Sequence, residues 1–100
     1  MADVVFAISA DDDLNAIFDW VDGEAGPAVA QAYLMRLYGA CLRLAIFPNR
    51  GRRRDDLAPG VRTIPFERKA VIAYRVEGDR IHILRIVHHG RDLQAAVGQI

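Results

Sequence analysis

Residues 61–88, VRTIPFERKAVIAYRVEGDRIHILRIVH, decide the fold of this chain. Three segments within them, VRTIPF, AVIAYRV and RIHILRIVH, are rich in Val, Ile, Tyr and Phe, which favour extended structure. The last two are separated by EGDR, in which Gly78 and Asp79 suit a tight hairpin turn. The sequence therefore predicts three consecutive strands that form an antiparallel meander.

A strand and a first helix are predicted at the N-terminus. VVFAIS has the β-branched and aromatic residues of a short strand. Ser9 stands three positions before Asp12, a spacing that resembles a helix capping box, and apolar residues at helical spacing follow. We therefore expect a first helix that begins near Ser9 and ends at Gly23.

The second helix is expected to be the longest element. It begins near Pro27, a residue favoured in a first helical turn, and runs to about Phe47, where Pro48 stops it. The segment GEAG between the two helices is short, so the helices should form an antiparallel hairpin. The apolar residues of the second helix form one buried stripe at helical spacing: Ala30, Leu34, Leu37, Cys41 and Leu44.

This order of elements, β-α-α-β-β-β, predicts an α+β fold in which the helical hairpin packs on one face of a small antiparallel sheet. Leu93, Ala96 and Val97 suggest a short C-terminal helix. With 100 residues, we expect positions 1–100 to form one domain. No segment reaches transmembrane length and no basic leader precedes the first apolar run, so we expect a cytoplasmic protein.

Neither a cofactor nor a metal is predicted. Cys41 is the only cysteine, which excludes an internal disulfide and a cysteine-based zinc site and favours a small core residue. Asp11, Asp12 and Asp13 resemble a metal-binding cluster, but carboxylates in the first turn of a helix also complement the helix dipole. We favour the dipole interpretation.

The charges are distributed unevenly, although the formal net charge is zero. Residues 1–47 carry seven acidic and two basic residues, whereas residues 48–100 carry eleven basic and six acidic ones. Arg50, Arg52, Arg53 and Arg54 lie within five positions and repel one another, a cost that an acidic partner would relieve. The alternative is a solvated loop that the two following aspartates partly neutralise; we favour partner binding.

Two further arginines lie in the predicted strands. Strand alternation places Ile81, Ile83, Arg85 and Val87 on one face of the last strand, so Arg85 interrupts an apolar row. Such a residue either extends to water at the sheet edge or projects into a functional concavity. Because Arg62 opens the first meander strand, the loop arginines, Arg62 and Arg85 could converge on one surface.

Residues 47–93, which begin FPNRGRRRDDL, resemble the ParE branch of the RelE/ParE toxin superfamily. The matching elements are FP at a helix end with GRRRDDL, PGVR entering a strand, IAYRV before a hairpin turn, and ILRIVHHGRDL closing the sheet. The helical half agrees in length and order, so the resemblance covers nearly the whole chain. It implies the fold expected above and a toxin of a bacterial type II toxin–antitoxin module.

The resemblance also implies one of two activities. RelE-like members cleave messenger RNA on the ribosome with basic residues and a general acid or base, commonly a C-terminal tyrosine. Arg62 and Arg85 match phosphate-binding positions of these nucleases, but arginine is a poor proton acceptor. No tyrosine follows the last predicted strand here, so His88 or His89 would have to act as the base.

ParE members instead poison DNA gyrase, and we favour this activity. The resemblance then implies a toxin that is not an enzyme and inhibits gyrase by protein–protein binding, with mRNA endoribonuclease activity as the alternative. A plain DNA-binding module is disfavoured because no recognition helix is evident. A ParD-like antitoxin with an acidic, amphipathic segment is the expected partner, in a hetero-oligomeric complex. The residues predicted to bind antitoxin or target are Arg52, Arg53, Arg54, Arg62, Arg85 and Arg91.

Overall fold

A computed structural model describes residues 2–88 and 92–98. The predicted α+β fold is confirmed, with one additional short strand between the second helix and the meander. No helix in the described residues is long and apolar enough to cross a membrane. The elements are β1 (Asp3–Phe6), α1 (Ile8–Ala25), α2 (Pro27–Arg43), β2 (Arg52–Arg53), β3 (Val61–Phe66), β4 (Ala70–Glu77), β5 (Arg80–His88) and α3 (Leu93–Val97).

The sheet has five strands in the order β1-β5-β4-β3-β2. Strands β3, β4 and β5 form the predicted antiparallel meander. Strand β1 pairs in parallel with β5 at one edge, and β2 pairs antiparallel with β3 at the other. The sheet is therefore mixed, and its β2 edge consists of two residues from the arginine cluster that the sequence analysis assigns to a loop.

The predicted start of α1 near Ser9 is confirmed to within one residue, whereas the predicted capping by Ser9 and the predicted end at Gly23 are wrong. The backbone N–H of Ala7 still bonds to β5, so the chain enters the helix directly from β1, and Ser9 lies inside the first turn rather than capping it. Helix α1 also continues past Gly23 to Ala25. The residue that separates the two helices is Gly26, whose φ of +89° is a conformation that glycine adopts readily.

Helix α2 begins at Pro27 as predicted but ends at Arg43, four residues earlier than expected. The backbone N–H groups of Leu44 and Ala45 bond three residues back, to Cys41 and Leu42, so the helix tightens into turns before Pro48. The predicted stripe is confirmed. Leu34 is partly buried, and the other four members are buried: Ala30, Leu37, Cys41 and Leu44.

Two apolar clusters form the core of the described residues, one on each face of the sheet. The larger lies between the helical hairpin and the sheet and contains Leu37, Ile72 and Tyr74. The smaller joins Ala73 of β4 to Val97 of α3 on the opposite face. The helical hairpin therefore covers one face, and the short C-terminal helix covers part of the other.

A β-bulge interrupts the pairing of β4 with β5. Ala73 pairs with Arg85, whereas the next residue, Tyr74, pairs with Ile83, so Leu84 has no partner on β4. An extra residue of this kind shifts the alternation of the strand beyond it.

The bulge overturns the alternation predicted for β5. Ile81, Ile83 and Ile86 all belong to the cluster beneath the helices, whereas Leu84 belongs to the smaller cluster on the other face. Arg85 does not share a face with Ile81 and Ile83, because the extra residue lies between them.

Candidate partner-binding surface

Half of the arginine cluster is neutralised within its own loop. Arg53 donates two hydrogen bonds to Asp55, and Arg54 donates two to Asp56, at 2.9–3.2 Å. The backbone N–H of Gly60 and the guanidinium of Arg53 both hold the pKa of Asp55 below its usual value. The guanidinium of Arg54 does the same for the pKa of Asp56. These ion pairs agree with part of the alternative interpretation, in which the loop is solvated and the two aspartates partly neutralise its arginines.

The other two arginines of the cluster are open to solvent. Arg50 and Arg52 are exposed, and neither makes an ion pair with any residue in the described ranges. The charge of Arg52 is near enough to contribute to the lowered pKa of Asp56. Arg50 therefore has the charge that is least compensated within this loop.

A polar network, only partly buried, holds the segment before β2 through Tyr74 and Arg62. The hydroxyl of Tyr74 accepts a hydrogen bond from the N–H of Gly51 at 2.7 Å and donates one to the carbonyl of Pro48 at 2.8 Å. Arg62 donates to the carbonyls of Gly51 at 2.8 Å and Asn49 at 3.3 Å. A Cβ on residue 51 would lie 2.6 Å from the Tyr74 hydroxyl, so only glycine fits.

Above this network lies an exposed apolar surface. Ile46 is 56% exposed and Phe47 is 61% exposed. Together with Pro48, Asn49 and Arg50 they line a shallow depression, and we refer to residues 46–50 as the loop platform. The sequence predicts that Ile46 and Phe47 belong to the end of α2 and that Arg50 belongs to the loop, so the apolar part of this surface is not anticipated. One feature of the sequence could have identified this surface: Ile46 and Phe47 are apolar but do not belong to the buried stripe, which ends at Leu44.

Arg85 lies at a different place and has a different set of contacts. Its Nε and Nη2 donate to the two carboxylate oxygens of Asp13 in α1 at 2.8 and 2.9 Å, and its Nη1 donates to the carbonyl of Ala96 in α3. The hydrogen bonds to Asp13 raise the pKa of Arg85, and its guanidinium is held by contacts within the protein. Asp13 thus has a structural role that the sequence analysis did not assign.

The predicted convergence of the arginines is not observed. Arg62 pairs with Tyr74 across β3 and β4, on the helix-covered face, whereas Arg85 pairs with Ala73, whose cluster lies on the opposite face. The loop arginines and Arg62 lie together, and Arg85 lies two strands away from β3. Arg91 lies outside the described residues.

The histidine predicted as an alternative base is buried. His88 is 8% exposed, and its Nε2 lies 3.3 Å from the hydroxyl of Tyr33, with the rings of Tyr33 and Trp20 packed edge-on against it. Asp13, Trp20, Arg85 and His88 line a cavity of about 160 Å³, well below the roughly 300–1,000 Å³ of ordinary ligand sites. His89, the other predicted candidate, lies outside the described residues.

A second apolar depression lies along the helical hairpin. Leu14, Phe18, Leu34, Met35 and Tyr38 line it, and it presents almost no polar surface. It differs from the loop platform because no arginine lines it. Within the described residues, no group of three or more His, Cys, Asp or Glu side chains could hold a metal ion.

The fold and these surfaces define a small α+β protein with exposed apolar and arginine-rich areas. Comparison with known proteins shows its family. Residues 4–93 match the model described as the ParE toxin of the type II toxin–antitoxin system, parDE. The chain belongs to the ParE toxin family and is therefore a type II toxin of the ParE/RelE superfamily.

Individual relatives agree with this assignment. The chain is 39% identical to Toxin ParE3 of Caulobacter vibrioides over 87% of its own length and 86% of that protein. It is 37% identical to Toxin RelE2 of the same organism over 91% and 99% of the two chains.

Solved structures show the same fold. A chain of the chromosomal ParDE toxin–antitoxin system from P. aeruginosa matches with a TM-score of 0.78 and 32% identity, over 89% of this chain and 97% of that one. A chain of the RelBE2 complex from Mycobacterium tuberculosis matches with a TM-score of 0.55 and 20% identity, over 88% and 98%, and so agrees in fold alone.

Proposed function

We propose that this toxin inhibits DNA gyrase by protein–protein binding and so blocks replication. In this proposal a ParD-like antitoxin, encoded beside the toxin, neutralises it in a hetero-oligomeric complex in the cytoplasm. Membership of the ParE family supports the proposal, as does the match to a chain of a ParDE system. The toxin has no enzymatic role in this account.

The burial of His88 is the observation that most favours a toxin that acts by binding over one that acts by catalysis. A general base must reach the proton that it removes, within hydrogen-bond distance or through one water. His88 lies instead beneath Trp20 and against Tyr33. His82, the other histidine in the described residues, faces the carboxylate of Glu77 at 3.4 Å and does not line the cavity beside Arg85.

The predicted binding arginines take different parts in this proposal. Arg52, Arg53 and Arg54 supply the charged edge that an acidic partner contacts, and the pairs with Asp55 and Asp56 exchange for contacts with the partner. Arg62 contributes by fixing the backbone of the loop. Arg85 contributes by fixing the sheet to α1, because its guanidinium already donates hydrogen bonds to Asp13 and Ala96.

The alternative activity, ribosome-dependent cleavage of messenger RNA, is separable in cells. The toxin is induced without antitoxin, and a DNA-damage reporter and primer extension on several translated messages are followed from the same cultures. We expect the damage reporter to rise and replication to halt before messages are lost. Codon-linked cuts that appear first, with a silent reporter, would replace this proposal with the endonuclease.

A further inference from the structure

The loop platform, residues 46–50, places two exposed apolar side chains beside an arginine. Ile46 and Phe47 are adjacent, large and more than half exposed. Arg50 lines the same depression and makes no ion pair with a described residue. Exposed apolar side chains beside an unpaired guanidinium are the composition of protein-binding hot spots, in which aromatic residues and arginine are enriched.

The platform is also held rigidly. The hydrogen bonds from Tyr74 and Arg62 fix the carbonyls of Pro48, Asn49 and Gly51 from beneath. The N–H of Arg50 bonds to the carbonyl of Phe47 at 3.1 Å and closes a turn at the surface. A surface whose backbone is already ordered loses less conformational entropy when a partner binds. The polar network therefore prepares an exposed binding surface.

The charge around the platform selects the chemistry of the partner. Arg53 and Arg54 are paired with Asp55 and Asp56, whereas Arg50 lines the depression with Phe47, and Arg52, two residues further along the chain, is exposed and makes no ion pair with a described residue. A complementary segment presents an apolar side chain to Ile46 and Phe47 and carboxylates on either side of it. Guanidinium groups form strong, directional hydrogen bonds with carboxylates.

We infer that the loop platform is a docking site for an acidic, apolar-anchored segment of the antitoxin, with Phe47 as the apolar anchor and Arg50 and Arg52 as the carboxylate contacts. The inference rests on the proposed neutralisation by an antitoxin. The antitoxin is preferred to the target because it is the partner that stays bound while the toxin is inactive. Partners that remain bound cover the more apolar interfaces, and Ile46 and Phe47 form such an area.

The test measures binding of the purified toxin to the antitoxin encoded beside it, by calorimetry, for Phe47→Ala and for the double variant R50A/R52A. We expect Phe47→Ala to weaken binding by about tenfold or more, as is typical for an anchor residue. The double variant should also bind more weakly, with a larger loss at low salt, where screening is weakest. Matched controls are Val29→Ala, an exposed apolar residue at the other end of α2, and Arg80→Ala on β5; neither should change the affinity.

Each outcome of the test bears on the inference. Unchanged antitoxin binding by both platform variants would overturn it and leave the proposed function in place. Variants that keep antitoxin affinity but lose gyrase inhibition would assign the platform to the target instead. Variants that lose only self-association, measured by light scattering, would assign it to a second copy of this chain. A wild-type toxin that binds no antitoxin would overturn both the inference and the proposed neutralisation.

Discussion

Arg85 of β5 and Asp13 of α1 form a two-point ion pair, with Nε–Oδ2 at 2.8 Å and Nη2–Oδ1 at 2.9 Å. Asp13 Oδ2 also accepts the backbone N–H of Ile86 at 2.8 Å. This contact lies just past the point where β1 ends, since the N–H of Ala7 makes the last bond to Ile83. The side chain of Asp13 in α1 therefore accepts a hydrogen bond from β5 beyond the point where β1 ends.

We predict that Asp13→Ala destabilises the protein by about 3 kcal/mol, because it removes the carboxylate partner of a partly buried guanidinium and leaves the Ile86 N–H without its acceptor. The side chains of Arg85 and Asp13 are only 19% and 15% exposed, so solvent replaces the carboxylate poorly. Urea unfolding measures the effect. Asp19→Ala, at an exposed position of the same helix, is the control and should stay within about 0.5 kcal/mol of wild type. Equal losses in the two variants would show that the ion pair is not the cause.

Tyr74→Phe should loosen the loop platform. The variant keeps the buried ring but leaves the Gly51 N–H and the Pro48 carbonyl without their shared partner, a loss of about 1–3 kcal/mol. The folded state also raises the pKa of Tyr74, chiefly through burial, so it favours the neutral hydroxyl that makes both bonds. Denaturant unfolding and hydrogen exchange at the Gly51 amide provide the measurements. Tyr38→Phe, whose ring is nearly half exposed, is the matched control, and faster Gly51 exchange in that variant would count against this account.

Cys41 should be unreactive in the folded protein. Burial raises the pKa of its thiol to about 12, so almost no thiolate is present near pH 8, and the side chain is fully covered. Because burial raises the pKa of Cys41 from 9.0 to about 12, the stability that the neutral thiol contributes is complete below about pH 9 and is lost as the pH rises through about 12. Iodoacetamide at pH 8 should label the native protein much more slowly than the urea-unfolded protein. Equal labelling rates would place Cys41 outside the core.

His88→Gln should leave toxicity nearly unchanged. Glutamine keeps a polar group for Tyr33 but cannot replace histidine as a base that titrates near neutrality. General acid–base catalysis contributes about 10²–10⁴-fold, so a nuclease that relies on His88 would lose most of its toxicity. Colony counts after induction measure toxicity, and thermal unfolding checks that the variant is folded. A folded but harmless variant would favour the nuclease.

The fold could be predicted because its signals are local. The β3 and β5 limits follow directly from runs of β-branched and aromatic residues, and the start of α2 follows from Pro27. The end of α1 was misplaced because two glycines lie close together, and a helix tolerates Gly23 where no sharp turn is needed. Which glycine takes the positive φ depends on how the hairpin packs on the sheet, which no local pattern records.

The candidate site was harder to predict, because its contacts join distant positions. The bulge at Leu84 inverts the faces of β5, so alternation alone assigned Arg85 to the wrong face. Asp13 was one of three similar carboxylates, and only the folded sheet edge distinguishes it from the other two. The arginine cluster was visible in the sequence, but the division between paired and open arginines depends on side-chain geometry within the loop.

DNA supercoiling by purified gyrase, measured against increasing concentrations of purified toxin, tests the central claim most directly. We predict that supercoiling falls as toxin is added and recovers when the antitoxin is added in equal amount. A toxin that stops growth in cells but leaves supercoiling unchanged at large molar excess would contradict the claim that this protein acts by binding gyrase.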